Sequence, residues 1–221
     1  MNSKDLVKRV ITSIPLLLLF CFSFYYSFVL IITLMILSLI SWIEFQKLIN
    51  KIFKNKFFIL LINLLSLVYL AIFSLFIFSG ILEENFKMNM LYLFLVCIFS
   101  DIGGLIFGKI FKGKKLTKIS PNKTISGSVG SFTLSLILAP LFYFLLDNNL
   151  SNLFHLIIIS ISVSFFCQLG DLFISLLKRK AKVKDTGNIL PGHGGLLDRI
   201  DGMLLAIPIG IIIWKFLVLL I

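Results

Sequence analysis

The sequence predicts an all-α, polytopic integral membrane protein with about seven transmembrane helices and its polar loops in the cytoplasm. Three observations lead there: an extreme apolar composition, apolar runs of membrane-crossing length, and cations gathered between those runs. Of 221 residues, 59% are hydrophobic and 14% charged, and mean hydropathy is +1.07. A soluble domain carries about 25% charged residues and has too small a core to hide so much apolar side chain. This excludes a soluble globule and a disordered chain.

Apolar runs fall at roughly 10–43, 57–80, 88–108, 125–146, 153–177 and 203–221. Most match the about 20 residues needed to cross about 30 Å of hydrocarbon. The run 10–43 would make one helix about 51 Å long, too long for a single crossing. Two helices meeting near Ser23–Ser27 resolve this and give seven spans. With that count, all but Lys87 and Lys215 of the 21 Lys and Arg residues fall on one side. The positive-inside rule then puts the N-terminus and these loops in the cytoplasm, as in a multi-pass protein of the inner membrane. A six-span count moves the N-terminal cations to the opposite face and fits less well.

The net charge of +11 is therefore first a topology signal. No basic groove interleaved with aromatic residues suggests nucleic acid. Cys21, Cys97 and Cys167 sit in apolar runs without metal-site spacing and read as small buried hydrophobes. The expected organisation is 1–90, about three N-terminal spans, and 91–221, the remaining spans with loops 109–123 and 178–201.

Polar residues inside spans are costly and therefore candidates for function. In the sixth span Ser160, Ser164, Gln168, Asp171, Ser175 and Lys178 follow helical spacing and share one face. A helix–helix seam explains the serines but not Asp171. In the fourth span Asp101, Gly104 and Gly108 share a face, where the glycines admit a neighbouring helix or a ligand. Asp101 is a candidate site residue, with pairing to a loop lysine as the plainer reading. The following loop carries Lys123 and Thr124 at the expected start of a helix, with Ser120 or Asn122 as its cap. Free N–H groups there make a plausible phosphate cradle, although no Walker A sequence is present. Gly127, Ser131 and Ser135 read as a packing ladder.

The last cytoplasmic loop is the strongest feature. It joins Lys178, Arg179, Lys184 and Arg199 to Asp185, Asp198 and Asp201 around Gly187, His193, Gly194 and Gly195. Carboxylates without a Cys or His cluster favour a hard cation such as Mg²⁺. The cations neutralise phosphate charge, and the glycines bring backbone N–H groups close to an anion. That is equipment for Mg²⁺-dependent transfer at phosphorus. His193 either orients a phosphate or holds the loop.

The unbroken run from Ser175-x-Leu-Lys-Arg through Lys184-Asp, Pro191-x-His-Gly-Gly and Asp198-Arg-Ile-Asp201 resembles the signature of the phosphatidate cytidylyltransferase (CDP-diacylglycerol synthase) family. Ser100-Asp-x-Gly-Gly, Gly108-Lys, Ser120-Pro-x-Lys-Thr-x-x-Gly127 and Gln168-x-Gly-Asp171 are also similar to that family, in the same order, and Trp42-x-Glu44 echoes a weaker N-terminal feature. The chain has Ile125 and Ser126 where the family often has an aromatic and an acidic residue, which shifts the weight to Lys123 and Thr124.

The resemblance implies a membrane enzyme joining CTP to phosphatidate, with CDP-diacylglycerol and pyrophosphate as products. It implies Mg²⁺ on Asp171, Asp198 and Asp201, with K⁺ as a second cation. Lys178, Arg179 and Arg199 join these as catalytic residues. Asp101, Lys123, Thr124, Ser175, Lys184, Asp185, His193, Gly194 and Gly195 form the substrate-binding set. The expected partners are the two substrates and the bilayer, with pairing of two copies as a homodimer. A related CTP-dependent enzyme acting on another lipid is the nearest alternative. A cation-coupled transporter would also place Asp101 and Asp171 in spans, but it would not need the final loop.

Overall fold

The structure is a computed structural model. It describes the chain apart from residues 1–2, 118–119, 121–122, 146–149, 190–193 and 220–221, and apart from the side chains of 3–13 and 150–152. His193, Pro121 and Asn122 thus lie outside the described residues. Seven helices follow in order: α1 Ser3–Tyr25, α2 Ser27–Ile52, α3 Lys56–Leu82, α4 Glu84–Phe111, α5 Ile125–Leu145, α6 Leu150–Lys180 and α7 Leu197–Leu219. No strand occurs among the described residues. The six helices α2 to α7 are long and apolar enough to cross a membrane; in α1 the described side chains form an apolar stretch over Ile14–Tyr25. The all-helical membrane fold read from the sequence is the fold observed.

The long first run breaks where expected. Tyr26 is extended, with φ −119° and ψ 108°, between α1 and α2. Ser23 Oγ donates to Leu19 O at 2.7 Å and reaches Thr33 Oγ1 of α2 at 3.4 Å, so the break leaves no buried hydroxyl unpaired there. Pro15, Pro140 and Pro208 lie inside helices, which membrane helices tolerate when neighbours satisfy the freed carbonyls.

The chain divides into two compact units. The first holds Met1–Leu82 and Leu177–Ile200: α1 to α3, the end of α6, the glycine loop and the first turn of α7. Here α2 and α3 are tied by Ser38 and Ser74, whose hydroxyls are 2.6 Å apart, and by Trp42 Nε1, which donates to Asn63 O at 3.0 Å. Leu39, Leu64, Leu65 and Leu75 point outward, as a lipid-facing surface requires.

The second unit holds Glu83–Leu176 and Asp201–Ile221. Its centre is α4, where Met90, Tyr92, Leu93, Val96 and Cys97 are fully buried. Glycines bring α4 and α5 into backbone contact: a Cβ on Gly130 would lie 2.8 Å from Gly103 O, and one on Gly104 would lie 2.8 Å from Ser131 Oγ. The face of Gly104 and Gly108 therefore admits a helix. The polar stripe on α6 is largely the seam that its serines suggested. Ser160 meets Tyr92 OH, Ser164 Oγ lies 2.9 Å from Ser100 Oγ, and Gln168 Oε1 accepts from Ser128 Oγ. Packing of Trp214 against Phe86 and Tyr92, each with ring centroids 5.9 Å apart, closes the other end.

Candidate active site

In the first unit, α6 ends in a left-handed turn at Lys182, with φ 55°. Lys182 N donates to Arg179 O at 3.1 Å and Val183 N to Lys178 O at 3.0 Å. This double bond pattern satisfies the last carbonyls of the helix and turns the chain sharply into the loop. One turn earlier, Lys178 Nζ donates to Asp198 Oδ1 at 2.7 Å. Asp198 sits in the first turn of α7, and its Oδ2 accepts from Thr186 N at 2.8 Å, Thr186 Oγ1 at 3.0 Å and Gly195 N at 3.2 Å. The Lys178 and Asp198 side chains are only 14% and 8% exposed. Four donors on one carboxylate fix both its position and its charge.

Beside this pair lies a second carboxylate, present in the sequence as part of Trp42-x-Glu44 but given no site role there. Glu44 of α2 is fully buried. Its Oε2 accepts from Leu197 N at 2.8 Å and Thr186 Oγ1 at 2.9 Å, and its Oε1 accepts from Leu196 N at 3.1 Å. Leu196 and Leu197 carry the otherwise unpaired N–H groups at the start of α7, where negative charge is favoured. A Cβ on Gly195 would lie 2.6 Å from Glu44 Oε2, and a Cβ on Gly187 would collide with Oε1. Gly187 and Gly195 of the loop thus pack closely against the chain's own Glu44 side chain. Gly194 has φ +82°, a backbone state that suits glycine, and lies beside Asp185 and Asp198.

In the second unit, Lys123 Nζ pairs with Asp171 Oδ2 at 2.5 Å, and Ser175 Oγ donates to Asp171 Oδ1 at 3.2 Å. Helix α5 begins at Ile125, later than expected, and its cap is Thr124. The Thr124 hydroxyl accepts from Gly127 N at 3.0 Å and lies 3.0 Å from Ser126 Oγ. A threonine hydroxyl three residues before that N–H fills the cap role assigned to Ser120 or Asn122; Ser120 instead accepts from Lys123 N through its backbone carbonyl at 3.1 Å. Asp171 and Asp201 lie next to glycines that let α6 and α7 touch. A Cβ on Gly170 would lie 2.5 Å from Asp201 O, and one on Gly202 would lie 3.0 Å from Cys167 O. Asp201 Oδ1 accepts from Gly202 N at 2.8 Å. Asp101 Oδ1 accepts from Cys167 Sγ at 3.6 Å.

The predicted residues therefore fall into two sets. Lys178 and Asp198 are directly paired in the first, with Arg179, Lys184, Asp185 and Arg199 exposed around the loop. Lys123, Asp171 and Ser175 are joined in the second. The structure does not describe His193. Within each set the donors suit a hard cation. A carboxylate offers about four acceptor sites over its two oxygens. Asp171 Oδ1 and Oδ2 and Asp198 Oδ1 each take one bond among the described residues, so oxygen lone pairs remain for Mg²⁺. Among the described residues, no three or more His, Cys, Asp or Glu side chains gather into a group that could hold a metal ion. The signal for Glu44 was present in the sequence as the lone acid of α2.

A model of the cytidylyltransferase family matches residues 3–217. The chain is 48% identical over 120 residues to a phosphatidate cytidylyltransferase of Staphylococcus haemolyticus, covering 54% of this chain and 46% of that protein. It is 42% identical over 142 residues to the enzyme of that name from Rickettsia typhi, covering 62% of each. The counterpart from Bacillus subtilis is 43% identical over 121 residues, covering 53% of this chain and 45% of its own length. The chain spans about half the length of the curated relatives it matches. With the family model matched across nearly the whole sequence, the chain belongs to the cytidylyltransferase family.

Proposed function

We propose that the protein transfers a cytidylyl group from CTP to phosphatidate, yielding CDP-diacylglycerol and pyrophosphate, at the cytoplasmic face of a bacterial inner membrane. The observation that carries this reading is a lysine–carboxylate pair in each unit, Lys178–Asp198 at 2.7 Å and Lys123–Asp171 at 2.5 Å. Each pair offers an ammonium to a phosphate oxygen and a carboxylate to a cation. Membership of the family, and relatives named phosphatidate cytidylyltransferase, support the same chemistry.

An oxygen of the phosphatidate phosphate attacks the α-phosphorus of CTP. A P–O bond forms there, the bond from that phosphorus to the bridging oxygen breaks, and pyrophosphate leaves with the electron pair. The nucleophile is already an anion, so the chain need not supply a general base. Lys178, Arg179, Lys184 and Arg199 offset phosphate charge, while Lys123, Thr124, Ser175 and Asp101 orient the nucleotide or headgroup. Asp171, Asp198 and Asp201 would offer oxygens to Mg²⁺, with K⁺ as a second cation, and the bound metal would offset further charge on the triphosphate.

The test uses purified protein in detergent with phosphatidate, Mg²⁺ and CTP labelled at either the α- or the γ-phosphate. The α-label should enter the lipid, the γ-label should leave in pyrophosphate, and EDTA should stop both. Transfer of the γ-label to lipid would replace this reading with a kinase. Turnover confined to a different lipid phosphate or alcohol would move the acceptor.

A further inference from the structure

We infer that Glu44 is a positioning residue for this reaction, acting through Thr186 and the start of α7 on Asp198. The inference rests on the proposed transfer for its kinetic consequence, while its geometric part stands independently. Glu44 is fully buried, and it accepts hydrogen bonds from the loop and the start of α7: from Thr186 Oγ1 at 2.9 Å, Leu196 N at 3.1 Å and Leu197 N at 2.8 Å. A carboxylate is a costly group to bury completely, as Glu44 is. Leucine would fill the space, so packing alone does not account for an acid there.

The segment it holds is the one that aims Asp198. Leu196 and Leu197 immediately precede it in the chain. Thr186 donates to Asp198 Oδ2 through its backbone N–H at 2.8 Å, and its hydroxyl lies 3.0 Å from the same oxygen. That hydroxyl also lies 2.9 Å from Glu44 Oε2. A threonine hydroxyl has one hydrogen, so the two carboxylates share a single proton donor. Whatever fixes Glu44 therefore sets how firmly Asp198 Oδ2 is held, leaving Oδ1 to Lys178. Gly187 and Gly195 are the sequence's accommodation of this arrangement, since a Cβ at either would strike the Glu44 carboxylate.

Glu44→Gln keeps the size of the side chain but turns one acceptor into a donor facing N–H groups. In folded protein it should lower kcat by about 10–100-fold, the range found when a supporting hydrogen-bond partner is lost. The KM values for CTP and phosphatidate should stay within about 3-fold, because the substrate contacts themselves are intact. Amide exchange at Leu196 and Leu197 should accelerate in the same variant, a readout that needs no activity. Thr186→Val should lower kcat as well, Thr186→Ser should restore it, and Glu44→Gln should add little on top of Thr186→Val.

Wild-type kcat in folded Glu44→Gln, unchanged exchange at Leu196 and Leu197, or effects of Glu44→Gln and Thr186→Val that multiply would each overturn the inference. If Glu44→Gln does not fold, the Thr186→Val and Thr186→Ser pair decides: restoration by serine supports it, and equal loss in both defeats it. Absence of CDP-diacylglycerol from the wild type would remove the transfer reading, and the exchange measurement would still judge whether Glu44 holds the loop.

Discussion

Asp198 and Lys178 are the residues with the most consequences in the first unit. The pair is nearly buried, and every oxygen of Asp198 is engaged. Removing one partner leaves an uncompensated charge, at a cost of about 3–5 kcal/mol for a buried pair. Lys178→Met should accordingly lower the thermal midpoint measurably as well as reduce turnover, and a melt followed by circular dichroism checks the first effect. Lys123 and Asp171 are more exposed, at 24% and 32%, so their pairing contributes less to stability. The exchange Lys123→Asp with Asp171→Lys should restore an ion pair and keep the melting temperature close to wild type. On the proposed function it should also leave CDP-diacylglycerol synthesis at least about 100-fold down, because the proposed Mg²⁺ would meet a lysine in place of the Asp171 carboxylate. Full activity in the swapped protein would make the pair structural only.

The elements show why some features were legible in the sequence and others were not. The break between α1 and α2 was readable because run length is set by bilayer thickness, and Tyr26 falls inside the window so defined. The stripe on α6 was readable because helical spacing puts Ser160, Ser164, Gln168 and Asp171 on one face. Its partners Tyr92, Ser100 and Ser128 come from helices whose neighbours no spacing rule specifies. Glu44 was visible as a lone acid, but its contact with Thr186 spans 142 positions and depends on how the loop folds back. The start of α5 was misplaced because Ser120, Asn122 and Thr124 are all good caps by composition, and only the bond from Gly127 N to the Thr124 hydroxyl distinguishes them. At this scale Gly130→Ala is the sharpest probe. Its Cβ would sit 2.8 Å from Gly103 O, so α4 and α5 must part, at about 1–3 kcal/mol. Ala at the exposed, helical position Val129 on the same helix should cost far less, and the difference in melting temperature between the two variants checks the seam.

For the whole molecule, the proposed function joins charge to hydropathy: on that reading, the cations that set orientation include those that meet the substrates. Lys178, Arg179, Lys184 and Arg199 belong to the loop 178–201, and Lys123 ends the loop 109–123. If both loops are cytoplasmic, Asn188→Cys, at an exposed position of the final loop, should resist a membrane-impermeant maleimide in intact cells and react once the membrane is opened. The same orientation makes the reaction one-sided. CTP carries too much charge to cross a bilayer, so the side on which it is consumed reports where the loops lie. The most direct measurement supplies labelled CTP and Mg²⁺ to sealed vesicles containing the protein and phosphatidate, sorted into inside-out and right-side-out preparations. The account predicts CDP-diacylglycerol from inside-out vesicles and none from right-side-out vesicles until they are permeabilised. Synthesis by right-side-out vesicles alone, or no product from either preparation with folded protein, would contradict it.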